Sequence, residues 1–334
     1  MWRLPHQLFL KSILFCSVGS GAKRLGATGE SGWVTTSPTP PQDRPRYGLT
    51  TPVVTALPGF CGPWEREAGP DELSRVARAA DRLGFDHLTC SEHVAVPAKI
   101  AEQRGATYWD PLATLSFLAS CTERIRLATQ VLVLGYHHPL EVAKRYGTLD
   151  RLSAGRVVLG VGVGSLPEEF DLLGADYQQR GAVADEAMVA LRAALSRHSP
   201  EHHGEHFDFA GFVVEPHAMQ ARVPMWVGGH TQRSLRRAVD HGDGWVPFGL
   251  RHDRLTEMLA PLDLPPGFEV VLGAGRPLDP LGDPDRTARV VARTRAAGAT
   301  IVSVHLAAES CAHYLEQMEA LVALDITDDP VEAP

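Results

Sequence analysis

The chain has 334 residues, 44% of them hydrophobic and 22% charged, with a formal net charge of -8. These are globular proportions, sufficient to bury a large core. The mildly acidic balance excludes nucleic acid as the main partner, which needs a dense basic face, but allows one ligand phosphate held by backbone N–H groups at a helix start.

In chain order, Ile13 to Val18 is an apolar run preceded by Arg3 and Lys11, a faint signal-peptide outline. It is shorter than the about 7–15 residues a secretory segment needs, and no clean cleavage site follows. Gly19 to Arg46 is rich in Gly, Ser, Thr and Pro. Residues 1–46 therefore read as a disordered extension and 327–334 as a disordered tail, flanking one domain over 47–326.

From Tyr47 onward strands and helices alternate. The predicted strands are Tyr47 to Thr55, Phe85 to Thr89, Ile125 to Val133, Arg156 to Val163, Met225 to Val227, Gly244 to Phe248, Glu269 to Leu272 and Thr300 to His305. Helices are expected over Asp71–Leu83, Pro111–Thr122, Leu140–Leu152, Glu186–Ser196, Ser234–Asp240, Arg254–Leu259, Asp285–Ala297 and Ala312–Leu324. The strands are near-continuous apolar runs, as parallel strands covered on both faces must be. Eight strand–helix units predict an α/β fold, a (β/α)8 TIM barrel, with a doubly wound open sheet as the structural rival. Residues 167–184 and 199–221 break the rhythm and read as insertion loops over the C-terminal face.

The five cysteines, Cys16, Cys61, Cys90, Cys121 and Cys311, contain no C-x-x-C pair. An odd, scattered set fits a reducing, cytoplasmic setting better than a disulfide framework or zinc site. No run of about 18 apolar residues is present, so no membrane helix is expected.

Barrel chemistry sits just past the strands. After the second strand come Glu92 and His93, where a carboxylate beside an imidazole can tune an acid/base pair; the plain alternative is a surface-loop histidine. Gln130 and Val131 interrupt the third strand, and a buried amide there needs a partner, either a ligand edge or a core hydrogen bond. Gly160, Gly162 and Gly164 follow the fourth strand and let a ligand approach the backbone, although their spacing fails the dinucleotide fingerprint. Gly228, Gly229, His230 and Thr231 join the fifth strand to a helix and make an anion cradle. The arginines of that helix, Arg236 and Arg237, read as a solvated face. His198, His202, His203 and His206 lie in a polar loop without H-E-x-x-H spacing, so no metal site is expected.

The strings GFDHLTCSEHVAVP (84–97), the long block from Asp110 to Gly174, and VPMWVGGHTQRSLRRAVDHGDGWVPFG (223–249) resemble the luciferase-like monooxygenase superfamily. Within it they are most similar to the oxidoreductases that use the deazaflavin coenzyme F420. The resemblance implies a (β/α)8 barrel. It implies that His93 lies near the cofactor's reactive ring, with Glu92 where the family usually has aspartate. It places Gln130 and Val131 at a bulge against the ring face, where members often have a non-proline cis peptide. It places Gly162 and Gly164 beside the cofactor tail and Gly228, Gly229, His230 and Thr231 at its phosphate. Two departures bear on the substrate pocket: Ser165 stands where tryptophan is frequent, and Leu250 to Phe268 is short.

The expected function is hydride transfer between F420 and a small organic substrate. An FMN-dependent monooxygenase using reduced flavin and oxygen is the alternative, and a non-catalytic flavin-binding barrel is a third reading. The expected partner is a small molecule, with no nucleic acid and no membrane, and a homodimer is compatible with this family resemblance.

Overall fold

The computed structural model describes residues 44–326. The predicted extension up to residue 43 and the tail 327–334 lie outside the described residues. The sequence assigns Arg46 to the extension, but it belongs to the fold. Its guanidinium pairs with Asp86 and Glu269, and its carbonyl accepts from the Val302 N–H.

Eight parallel strands close into a barrel: β1 (Tyr47–Leu49), β2 (His87–Cys90), β3 (Arg126–Thr129), β4 (Val157–Gly162), β5 (Met225–Gly228), β6 (Gly244–Val246), β7 (Glu269–Gly273) and β8 (Ile301–Val304). Each strand pairs with its sequence neighbours, and β8 closes on β1 with Tyr47 opposite Val302. This excludes the open sheet. The expected first strand stops at Leu49, six residues early. The expected third strand breaks at a cis peptide between Gln130 and Val131 and resumes over Leu132–Val133.

That break is a bulge. Leu127 pairs with Val157 and Leu132 with Val161, so one strand advances five residues while its neighbour advances four. The extra residue re-aims the local side chains, as bulges near active sites do.

Each strand is followed by a main helix: α1 (Pro70–Leu83), α2 (Pro111–Cys121), α3 (Pro139–Leu152), α4 (Arg180–Ala194), α5 (Gln232–His241), α6 (His252–Leu259), α7 (Pro284–Ala296) and α8 (Cys311–Ala323). α1 shows the local logic. Pro70 occupies its first turn, the Glu72 carboxylate accepts the Gly69 N–H, and Gly84 at φ 80° ends it in the left-handed region. Its Leu73, Val76, Ala77 and Ala80 face inward and are fully buried. Full burial of one such aliphatic chain is worth about 1.5–3 kcal/mol.

The lumen has its own core of Ala128, Val158, Trp226, Val246, Val271 and Ile301, one from each strand between β3 and β8. Its floor is charged. Arg126 pairs with Asp86 at 2.5 Å and with Glu269 at 2.9 Å, while Trp226 Nε1 donates to Glu269. Burial pushes the Asp86 carboxyl up, but His87, Arg126 and Arg46 outweigh it and hold it well below the usual range.

The two irregular stretches differ in place. Within 167–184 a short helix, Pro167–Leu173, caps the strand ends beside His93. Residues 199–221, expected over the mouth, instead connect α4 to the entry of β5. They hold a small antiparallel hairpin, His202–His203 with Asp208–Phe209. The Asp150 and Glu186 carboxylates anchor this stretch to α3 and α4 by accepting backbone N–H groups of Met219, Gln220, His206 and Phe207. It covers the outer wall because an α-to-β connection must return to the strands' N-terminal side.

Candidate active site

His93 lies just past β2. Its Nδ1 sits 2.8 Å from Glu169 Oε2, its ring meets Tyr108 edge-on at 4.5 Å, and Arg104 Nη2 reaches Nε2 at 3.4 Å. A carboxylate only accepts, so Nδ1 carries the hydrogen and Nε2 is left as the acceptor side. Glu169 comes from the short helix Pro167–Leu173 and is 1% exposed. Its carboxylate also accepts the Val94 and Ala95 N–H groups and the Tyr136 hydroxyl. Burial raises its pKa, but the hydrogen bonds from His93, Ala95 and Tyr136 outweigh it, and the net shift is downward. Glu169 therefore remains an ionised orienting group for His93.

Sequence reasoning missed Glu169. Its signal is the pair Glu168–Glu169 directly after the glycine turn. Only tertiary structure separates their fates: Glu168 meets Lys99 in solvent, and Glu169 is buried.

Glu92 does not pair with His93, as adjacency had suggested. Its Oε1 meets His137 Nε2 at 2.7 Å and its Oε2 accepts the Val133 N–H at 2.6 Å. Burial disfavours charge on His137, yet Glu92 prevails and the imidazole pKa is raised. Glu92 thus pins the strand beyond the bulge. Ser91 supports the same bulge by donating to the Gln130 carbonyl at 2.7 Å.

The glycines surround Val131. A Cβ on Gly162 would lie 2.5 Å from Val131 Cγ2, and one on Gly228 would lie 2.7 Å from Val131 Cγ1. Both positions are glycine because the bulged valine fills their space. Gly164, at φ +77°, lies where a Cβ would strike Phe170 at 2.5 Å. At Gly162 and Gly228 the space a side chain would take is filled by the protein's own Val131.

Gly229 takes φ +127°, and the exposed His230 follows, its ring edge-on to Phe248 at 5.4 Å. Thr231 caps α5. Its hydroxyl accepts the Ser234 N–H and its own N–H donates to Ser234 Oγ. The turn is at a helix N-terminus, as expected, but Thr231 spends its N–H and hydroxyl on the cap. An anion there would rely on the remaining backbone N–H groups of the first turn and on the helix field.

A cavity of about 360 Å³ opens at the strand ends, lined by residues following β1, β2, β3, β6, β7 and β8. Of the expected residues only Gln130 lines it, joined by Ser91. Gln130 Oε1 is buried without a hydrogen-bond partner. Thr51, Thr89, Ser303 and His305 also line it and were not singled out by sequence. His93, Gly164 and the Gly228–Thr231 turn stand on the β2, β4 and β5 side of the mouth, outside that lining.

Among the described residues no group of three or more His, Cys, Asp or Glu side chains is arranged to hold a metal ion. His203 lies exposed between Glu201 and Asp208, and His202 reaches Glu186. Among the same residues no helix is long and apolar enough to cross a membrane.

The luciferase-like monooxygenase family model matches residues 51–263. An uncharacterized protein of Mycobacterium tuberculosis is 30% identical over 197 residues, covering 55% of this chain and 68% of its own. Three solved structures share the fold. A monooxygenase from Streptomyces bottropensis has a TM-score of 0.67 at 20% identity, covering 83% of this chain and 97% of its own. The coenzyme F420-dependent tetrahydromethanopterin reductase of Methanopyrus kandleri gives 0.62 at 14%, covering 84% and 98%. The oxygenating constituent of a Pseudomonas putida 3,6-diketocamphane monooxygenase, in complex with FMN, gives 0.62 at 16%, covering 85% and 98%. With its family match spanning more than half of the sequence and a closed eight-stranded barrel beneath it, the chain belongs to the luciferase-like monooxygenase family of oxidoreductases.

Proposed function

We propose that the protein is an F420-dependent oxidoreductase that transfers a hydride between the deazaflavin and a small organic substrate. The observation that carries this reading is the orphaned Gln130 Oε1, buried at the cavity beside the cis Gln130–Val131 peptide. An unpaired buried amide oxygen costs about 1–3 kcal/mol, which a donor on a bound ring edge offsets. The site's residues therefore fit a flat ring with polar edges.

In this reading Gln130 and Val131 back the ring, Gly162 and Gly164 border the cofactor tail, and the first turn of α5 after Gly229 and His230 holds the phosphate. The deazaflavin, when bound, supplies a two-electron hydride acceptor or donor. The protein's part is positioning and proton handling. His93, held in one tautomer by Glu169 at the rim of the cavity, would take up at Nε2 the proton of a substrate hydroxyl that reaches it there in place of the 3.4 Å Arg104 contact, and would return it in the reverse direction. Glu169, kept ionised, stabilises the imidazolium that results. Resemblance of 84–97 and 110–174 to the deazaflavin branch favours F420.

Titration of the purified protein with F420 and with FMN, followed by fluorescence, tests this. F420 is expected to bind more tightly. FMN binding without detectable F420 binding would replace the proposal with the FMN-dependent monooxygenase, a reading supported by the likeness to the P. putida enzyme's fold.

A further inference from the structure

His305 follows β8 and lines the cavity, yet the proton chemistry assigned to His93 does not use it. It is 8% exposed, and its Nε2 is buried without a hydrogen bond. Glu65 Oε1 lies 3.4 Å from that nitrogen, close enough for an ion pair but misaligned for a hydrogen bond. Glu65 is fixed in place. Its Oε1 accepts the Gly62 N–H at 2.9 Å and its Oε2 accepts the Val53 N–H at 3.3 Å. The carboxylate therefore stands behind the imidazole without satisfying it. Gln130 Oε1, also at the cavity, is the second buried polar atom left without a partner. Native structures rarely leave such groups unpaired; with Gln130 Oε1 taken by the cofactor's ring edge in the reading above, His305 Nε2 is the atom at this cavity left for a substrate's polar group.

The rest of the lining limits what that ligand is. It contains no Lys, Arg, Asp or Glu, and Val54, Leu57, Phe60, Leu250, Leu255 and Val271 supply apolar walls. A carboxylate or phosphate placed there would lose its hydration with no Lys or Arg to offset that, and would face the Glu65 carboxylate behind His305. We propose that His305, backed by Glu65, is the specificity-determining anchor for a neutral, mainly apolar substrate carrying a hydroxyl or carbonyl oxygen. The inference deepens the oxidoreductase reading above and rests on it for the cavity being the substrate's.

Calorimetric titration of the full chain without cofactor tests the anchor, with cyclohexanol, cyclohexanone and cyclohexanecarboxylate as probes. The two neutral probes are expected to bind saturably and the carboxylate far more weakly. His305→Phe keeps the ring bulk against Tyr314 but removes both nitrogens. It should weaken the neutral probes by about 3- to 10-fold, the worth of one hydrogen bond. His305→Gln, which keeps a donor and an acceptor, should lose less. Two results overturn the proposal: carboxylate binding as tight as cyclohexanol, or neutral-probe affinities unchanged in both variants. The contrast among probes on the wild-type chain holds whether or not a variant folds. F420 titration of the same proteins separates the two readings. If F420 fails to bind while the probe pattern holds, the cofactor assignment falls and the anchor stands.

Discussion

Glu169 and His93, 76 residues apart in sequence, meet at 2.8 Å through Oε2 and Nδ1. The carboxylate fixes which imidazole nitrogen is free and stabilises the charge that nitrogen gains on protonation. The first turn of the short helix Pro167–Leu173 and the loop after β2 converge to make this contact, so neither residue's neighbours in sequence reveal it.

Glu169→Gln should lower turnover by about 10²-fold and His93→Ala by about 10²–10⁴-fold, the usual range for a general acid/base. His93→Ala should keep its melting temperature, because the imidazole sits at a strand end rather than in the core. Steady-state kinetics with F420 as cofactor, paired with thermal unfolding, decides. Full activity in Glu169→Gln removes the orienting role; an unfolded His93→Ala makes the histidine structural.

Gly162→Ala should destabilise the fold by about 1–3 kcal/mol, because the new Cβ would lie 2.5 Å from Val131 Cγ2. Combined with Val131→Ala, the clash disappears, and the pair should cost less than the sum of the singles. Denaturant unfolding of the four proteins measures this. Strict additivity would mean that the valine does not set the need for glycine.

Arg126→Met should cost about 3–5 kcal/mol, since Asp86 and Glu269 would keep buried charge with fewer partners. The pH dependence follows from the same network. Asp86 and Glu269 have lowered pKa values, burial raising each but the arginines, with His87 at Asp86, prevailing. Below the ordinary carboxylate range, near pH 4, the unfolded chain binds protons that the folded chain still refuses. Their stabilisation is thus complete above about pH 4 and declines as pH falls further. Melting temperatures from pH 7 to pH 2 should drop steeply in the wild type and less in Arg126→Met. Parallel curves would show that the floor network does not govern acid stability.

A chain beginning at Pro45 should melt at a higher temperature than one beginning at Tyr47. The two chains differ by Pro45 and by Arg46, and Arg46 links Asp86 and Glu269 and gives a carbonyl to Val302. Equal melting temperatures would return the domain boundary to the residue first expected.

The barrel was readable because eight apolar runs alternate with helical segments, and each signal is local. Tyr47 to Leu49 and the bulge at Gln130 set the limits of that reading. Apolar residues resume beyond both breaks, at Val53–Val54 and Val131–Val133, so the expected strands overrun the points where pairing partners, not propensity, stop the ladder. Glu92 shows the same limit at the site. Beside His93 in sequence, it turns to His137 and Val133, while His93 turns to Glu169.

Composition, strand rhythm and the positions of His93, Gln130 and the glycine turns were thus determined by the sequence itself, because periodicity and backbone freedom act over a few residues. Tertiary structure alone decided which carboxylate serves which imidazole, which glycines yield to Val131, and that His305 and Gln130 leave polar atoms unpaired around one cavity. Those outcomes depend on distances between segments tens to hundreds of residues apart, and hydrogen bonds and steric contacts are decided over a few ångströms.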